Sequence, residues 1–329
     1  MDTATTARTA LIGLDWGTTS LRAWLFDAQG AVLDTRASPL GIMRLPRPAD
    51  LGGCDDAFQK LCADWLDARE VPVIAAGMVG SVQGWKEAPY VALPADPGPL
   101  ARALVPVRSA RGSVVHIMPG LIEQGALPNV MRGEETQVLG ALVAHASLRR
   151  APRVLLGLPG THAKWVFVVE GRVERFLTFM TGEVFAALCE HTILGRTMQT
   201  GAQPQDEAFL RGVDTARRHG QAGLLATIFS TRTLGLTGQL APAQQADYLS
   251  GLLIGHELMG LAAVLAGEDF KPSDWTPGLI GDAALCRRYR LALAHAQGLD
   301  APVLEHSTEQ GLFHIAREAG LLRAQPAGP

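Results

Sequence analysis

The sequence predicts an α/β protein of two similarly built domains, and three observations predict it. Apolar runs of strand length alternate with stretches whose apolar residues recur at helical spacing. A Gly-Thr turn between two apolar runs occurs twice, at Gly17-Thr18 and at Gly160-Thr161. The features around the two turns also come in one order: Gly13-Leu14 and Gly157-Leu158 precede them, and a tryptophan-bearing run (Trp24, Trp165) and a glycine turn (Gly30, Gly171) follow. Two such units about 145 residues apart read as a duplicated domain. The expected division is 1–148 and 149–329, with the last helix free to pack back on the first domain.

The elements follow in order. Residues 10–38 read as three short strands, with Asp27-Ala-Gln-Gly30 turning between the second and third. Residues 39–50 are a Pro- and Arg-rich loop. Asp55 or Asp56 caps a helix on which Phe58, Leu61, Cys62, Trp65 and Leu66 share a face. A strand at 71–76 empties into a glycine-rich loop at 77–84, and 85–99 reads as a second irregular loop carrying four prolines. A strand at 114–118 and a helix at 133–147 complete the first half. The second half restarts with strands at 154–158, 164–169 and 173–179, then helices near 183–194, 205–219, 223–230 and 242–266. A strand at 278–280, a helix at 283–297, a strand at 303–305 and a helix at 308–322 close the chain.

Composition narrows the function. Of 329 residues, 47% are hydrophobic and 19% charged, which suits a large core rather than disorder. A net charge of −3, with no basic stripe interleaved with aromatics, excludes a nucleic-acid surface as the main business. The four cysteines form no Cys-x-x-Cys pair and read as reduced thiols in a cytoplasm. The N-terminus lacks an apolar signal core, and the apolar stretch 252–266 is interrupted by Gly255, His256, Glu257 and Gly260, so no membrane segment is expected. P-loop, dinucleotide-binding and nucleophile-elbow signatures are absent, and His256-Glu257 lacks the second histidine of a zinc-protease helix.

Residues 11–22 carry the first chemistry. A buried strand ends in Asp15, and a turn of Gly17, Thr18, Thr19 and Ser20 follows. Gly17 permits close backbone approach, the hydroxyls and amides suit phosphate oxygens, and Asp15 suits a hard cation. Taken alone, the stretch is equally an ordinary hairpin. The second turn, Gly160, Thr161 and His162 with Lys164 beyond it, offers phosphate ligands of the same kind.

With one such turn in each half, the chain resembles the actin-like ATPase superfamily, the group that includes sugar kinases and hexokinase. That resemblance implies two actin-like (ribonuclease H-like) domains flanking an ATP cleft. Residues 11–20 look like its first phosphate motif, with Asp15 reaching Mg²⁺. Residues 156–164 look like its second, and Gly278, Gly281 and Asp282 like its adenosine motif. Gly133-Glu134 stands where carbohydrate kinases of the glycerol-kinase type carry a Gly-Asp catalytic base, so Glu134 or Glu135 is the expected base. Together with Ala75-Ala-Gly-Met-Val-Gly-Ser81, Met118-Pro-Gly-Leu121, Met131-Arg-Gly-Glu-Glu-Thr-Gln137, Leu158-Pro-Gly-Thr-His-Ala-Lys-Trp165 and Thr178-Phe-Met-Thr-Gly-Glu183, these motifs resemble the bacterial 2-dehydro-3-deoxygalactonokinases over roughly residues 10–323. The resemblance implies ATP-dependent 6-phosphorylation of 2-dehydro-3-deoxy-D-galactonate in galactonate catabolism, with Mg²⁺. Substrate contacts are expected from Trp16, from Gly77, Met78, Val79, Gly80 and Ser81, and from Lys86 and Arg132. A kinase of another small sugar acid or polyol, or a nucleotide-gated actin-like protein without transfer, are the rival readings. The loops at 39–50 and 85–99 suit lids or homodimer contacts.

Overall fold

The computed structural model describes residues 8–199, 201, 203–267 and 271–322. The polar N-terminal residues 1–7, expected to hold no signal core, lie outside the described residues. The chain divides into two compact units, Met1–Pro152 with Val169–Arg175 and Glu305–Pro329, and Arg153–Val168 with Phe176–Leu304. The first unit runs to Pro152 and is completed by two further segments. It takes in a hairpin whose Val173 bridges Ala95, and the last helix of the chain.

In the first unit, β1 (Thr9–Trp16), β2 (Leu21–Asp27) and β3 (Val32–Ser38) form an antiparallel meander. Next come α1 (Gly53–Ala68) and β4 (Val73–Gly77), which pairs in parallel with β1 and sets Asp15 beside Ala76 and Trp16 beside Gly77. The region expected to be an irregular loop contains β5 (Tyr90–Ala92) and α2 (Pro97–Arg102), followed by β6 (Val105–Arg108) and β7 (Val114–Ile117). β5 joins β8 (Gly120–Glu123) and β9 (Asn129–Met131) in a small separate sheet. These strands are three or four residues long and rich in neighbouring prolines, too short for alternation to reveal them. The main sheet runs β3-β2-β1-β4-β7-β6. One face receives Cys54, Phe58, Leu61, Cys62 and Trp65 of α1.

After α3 (Glu134–Ala144) and α4 (Ala146–Arg150), the second unit repeats the plan with β10 (Arg153–Leu158), β11 (Ala163–Val169) and β12 (Arg172–Phe179). Helices α5 (Thr181–His191), α6 (Asp206–His219), α7 (Leu224–Thr227), α8 (Ser230–Leu236) and α9 (Gln245–Ala266) follow. The chain then runs through β13 (Thr276–Leu279), α10 (Ala283–Gln297) and α11 (Ser307–Glu318). The helix expected near 223–230 is the short α7, with α8 following it beyond the expected range, and residue 303 makes an isolated parallel bridge to Leu279. The second sheet runs β12-β11-β10-β13, the third-second-first-fourth order of the first. Each unit is an actin-like α/β unit, and the repeat seen in the motifs is a repeat of topology.

Each unit also contains a helix pair that touches backbone to backbone. In the first, a Cβ at Gly140 of α3 would lie 1.7 Å from the Ser307 carbonyl oxygen, and one at Gly311 of α11 would lie 1.9 Å from that of Thr136. In the second, Gly212 of α6 and Gly251 of α9 stand in the same relation, 2.1 Å from the Tyr248 oxygen and 1.9 Å from the Phe209 oxygen. Helix α9 is long and apolar enough by composition to cross a membrane. Here its apolar surface is spent on the core, with Tyr248, Leu249, Leu252, Ile254 and Leu258 all buried.

Candidate functional site

The first unit gathers its polar residues where β1 and β4 end side by side. Gly77 (φ 92°) closes β4, and a Cβ there would meet the Trp16 carbonyl oxygen at 2.6 Å and Asp15 Oδ1 at 3.5 Å. Gly133 (φ 109°) precedes α3, and its Cβ would lie 3.2 Å from Gly77 Cα. Both conformations favour glycine. The two glycines let the start of α3, with Glu134 and Glu135, come up against the strand end that carries Asp15.

Asp15 is held by Arg22, whose Nη2 donates to Oδ2 at 2.6 Å. Burial pushes the Asp15 carboxyl upward, Arg22 draws it down, and the Glu134 charge raises it again. Arg22 is a partner the motif reading passed over, although it sits opposite Asp15 in the β1–β2 register. The turn itself is closed by Gly17 N–H donating to the Ser20 carbonyl, and Thr18, Thr19 and Ser20 are exposed. Gly41 packs against this turn: a Cβ there would lie 2.4 Å from the Thr19 and Ser20 backbone nitrogens.

The two glutamates differ sharply. Glu135 is fully buried and its carboxyl oxygens accept the Gly133 N–H at 2.6 Å and the Thr136 hydroxyl at 3.1 Å. Burial first, and the Glu134 charge second, push its pKa up to about 8. Glu134 is partly exposed, and its Oε2 accepts the Arg132 N–H at 3.1 Å. Because Glu135 keeps its proton in the fold to about pH 8 while the unfolded chain releases it near 4.5, stability falls as pH rises through that window. Glu135→Gln is therefore expected to flatten the pH dependence between about 4.5 and 8, read as denaturation midpoints at pH 5 and pH 8. An unchanged slope would remove Glu135 as its source.

The expected substrate residues separate into groups. Trp16 is fully buried, donates its indole N–H to the Leu40 carbonyl at 2.9 Å and packs edge-on against Trp85, so it is a core residue without a group to offer a substrate. Val79 is buried too, and Ser81 Oγ donates to the Met78 carbonyl within a short 3-10 turn, Met78–Gly80. Gly77 leads into this turn and Gly80 ends it. Arg132 comes to the same loop: its Nη2 donates to the Ala88 carbonyl at 2.8 Å and its guanidinium lies 4.4 Å from the centre of the Tyr90 ring. Its Nε and Nη1 are buried and have no hydrogen-bond partner among the described residues. Lys86 is exposed.

In the second unit the turn after β10 is braced by the start of α5. A Cβ at Gly182 would lie 2.3 Å from the Gly160 carbonyl oxygen, and Glu183 N–H donates to the Thr161 carbonyl at 3.0 Å. His162 Nε2 and Glu183 Oε2 are 2.5 Å apart, both side chains about half exposed. Lys164 is buried, with Nζ donating to the His162 carbonyl at 3.2 Å. Gly281 brings the end of β13 to the same turn, its Cβ position 3.2 Å from the Pro159 oxygen, and Asp282 caps α10 by accepting the Ala284 and Leu285 N–H groups. Gly278 is buried against Leu304.

A cavity of about 560 Å³ opens beside this turn, lined among others by Gly160, Gly182, Phe185, Ile254, Arg288 and Tyr289. Asp247 lies in its wall, paired with Arg288 and accepting the Gln205 N–H at 2.8 Å. Phe185, Asp247, Ile254, Arg288 and Tyr289 are marked by no motif, because α5, α9 and α10 are far apart in the chain.

Known proteins resemble the chain along almost its whole length. A family model described as 2-keto-3-deoxy-galactonokinase matches residues 15–315. The 2-dehydro-3-deoxygalactonokinase of Escherichia coli (strain K12) is 34% identical over 93% of this chain and 97% of its own. A protein of Rhizobium meliloti (strain 1021), named as a probable 2-dehydro-3-deoxygalactonokinase, is 36% identical over 92% of this chain and 95% of its own. A crystal structure of a Sinorhizobium meliloti protein given the same kinase name provisionally superposes with a TM-score of 0.78, at 34% identity, over 93% of this chain and 98% of its own. The chain is a kinase, and it belongs to the 2-keto-3-deoxy-galactonokinase family.

Proposed function

We propose that the protein transfers the γ-phosphoryl group of ATP to the 6-hydroxyl of 2-dehydro-3-deoxy-D-galactonate in the cytoplasm, with Glu134 as the general base. The observation that carries this reading is the approach of Gly133 to Gly77, 3.2 Å from a Cβ position to Cα, which brings the α3 N-terminus to the end of β1. Glu134 is the better base of the two acids. Glu135 has both of its oxygens engaged inside the protein and holds its proton to about pH 8, so it serves the helix start.

In this mechanism Glu134 accepts the proton of the substrate hydroxyl as that oxygen bonds to the γ-phosphorus and the bond to the ADP oxygen breaks. The turn at 17–20 binds phosphate oxygens through its amides and hydroxyls. The turn at 160–162 does the same, with the Gly182 contact holding its backbone in place. The adenosine lies in the cavity beside Gly160 and Tyr289.

Mg²⁺ needs only one or two protein carboxylates, the rest of its shell being water and phosphate oxygens. Asp15 fits that need: Arg22 holds Oδ2 and leaves Oδ1 toward Gly77. When bound, the cation neutralises charge on the phosphates. Asp15→Asn is expected to raise the magnesium concentration needed for half-maximal rate, and an unchanged requirement would count against that role. The whole reading is tested by coupled ADP release over a panel of sugar acids. Release stimulated by 2-dehydro-3-deoxy-D-galactonate supports it, and release stimulated by no 2-keto-3-deoxy acid sinks it.

A further inference from the structure

Glu257 sits in the middle of the apolar helix α9 and is only 2% exposed. A carboxylate in such a place is costly unless its oxygens are fully bonded. Here they are. Oε1 accepts the Trp165 indole N–H at 2.7 Å, and Oε2 accepts the Tyr289 hydroxyl at 2.8 Å and the Thr181 hydroxyl. Burial pushes the Glu257 carboxyl upward while these three donors draw it down. Burial also pushes the Tyr289 phenol up, which keeps it a donor.

The three donors come from three different elements. Trp165 is on β11, directly after the turn at 160–162. Thr181 is the first residue of α5, and its neighbour Gly182 is the residue pressed on the Gly160 backbone. Tyr289 is on α10, whose N-terminus is set by Gly281 and Asp282. Thr181 and Tyr289 also line the 560 Å³ cavity, and Glu257 lies behind that wall, bordering a different pocket.

We propose that Glu257 is a positioning residue for the nucleotide: it ties β11, α5 and α10 to one carboxylate and so fixes the walls that hold phosphate and adenosine. The inference rests on the reading of this cavity as the ATP site. The carboxylate itself touches no nucleotide. Chemistry accounts for the choice of residue. An apolar side chain of the same volume would pack at lower electrostatic cost, but only an acceptor with several lone pairs takes three donors from three directions. Glutamine is the conservative replacement. Its amide oxygen can accept the Trp165 N–H, which can only donate, while the two hydroxyls rotate to accept from its NH₂ group.

The test uses intact enzyme, with ADP binding by calorimetry beside steady-state kinetics. Glu257→Leu is expected to raise the ADP Kd and the ATP KM by about tenfold, as several buried hydrogen bonds are lost, with the sugar-acid KM unchanged. Glu257→Gln should stay within about twofold of the wild type on both measures. Trp165→Phe removes one tie from a residue outside the cavity wall and should raise the ATP KM by about threefold; it carries the test if Glu257→Leu does not fold. Lowered melting temperatures with unchanged ATP KM and ADP Kd would make Glu257 a stability residue only and overturn the proposal. A wild type that binds no ADP would overturn the ATP reading itself, whereas binding by the wild type with unaffected variants overturns only the role of Glu257.

Discussion

Glu134→Gln is expected to lower kcat by about 10²- to 10⁴-fold while the ATP KM stays within a few-fold, because the change removes a proton acceptor and leaves the nucleotide contacts in place. The parallel variant Glu135→Gln should keep most of the turnover. Its amide oxygen still accepts the Gly133 N–H that the Glu135 carboxyl group accepts at 2.6 Å, so the start of α3 is preserved. The pair separates two roles that adjacent acids share in the sequence. Coupled ADP release with saturating sugar acid measures both. If Glu134→Gln turns over at the wild-type rate, the base lies elsewhere; if Glu135→Gln is the dead variant, the two assignments are exchanged.

Gly311→Ala is expected to be among the most damaging single-methyl additions in the first unit. In an ordinary helix interior alanine is favoured over glycine by about 1 kcal/mol. At this position the new Cβ would lie 1.9 Å from the Thr136 carbonyl oxygen, which is α3 backbone and not the movable tip of a side chain. The helices must separate, which also stretches the 3.3 Å bond from Gln137 Nε2 to Thr308 Oγ1. Overpacking of this kind costs about 3 kcal/mol, the upper end of the usual range, or more. Activity should fall with stability, since α3 carries Glu134 at its first position. The control is Gly125→Ala, where a Cβ meets nothing within 4 Å among the described residues. A Gly311→Ala protein that melts with the wild type would refute the close crossing.

Much of the architecture was legible because the signals that build it are local. The strand at the front of each half is an uninterrupted apolar run, since a strand covered on both faces has no reason to alternate. The Gly-Thr turns follow directly, so the repeat could be seen by aligning a few residues. The helix over 53–68 announced itself through Phe58, Leu61, Cys62 and Trp65. The small β5-β8-β9 sheet was not legible. Three-residue strands carry too few positions for periodicity to separate them from loop, and their pairing joins residues about 30 apart in the chain.

The candidate site divides along the same line. Asp15, the two turns and the acids at 134 and 135 are legible as residue types in a pattern. Their work is not, because it depends on what surrounds each one. Trp16 stands next to Asp15 in the sequence, but on a strand neighbours point to opposite faces, and Trp16 is in the core against Trp85. Arg132 reads as a substrate contact, and the sequence gives no sign that its guanidinium stacks on Tyr90, 42 residues earlier in the chain.

By itself, then, the sequence determined the α/β class, the duplication, the Asp15 strand end and the presence of a carboxylate pair ahead of the second turn, all properties of short contiguous stretches. Only the tertiary structure decided which glutamate stays partly exposed, which aromatic is core, and that Glu257 joins Trp165, Thr181 and Tyr289. Burial in the packed units set the first two outcomes and hydrogen bonds between residues 32 to 92 positions apart set the third, and no local pattern encodes them.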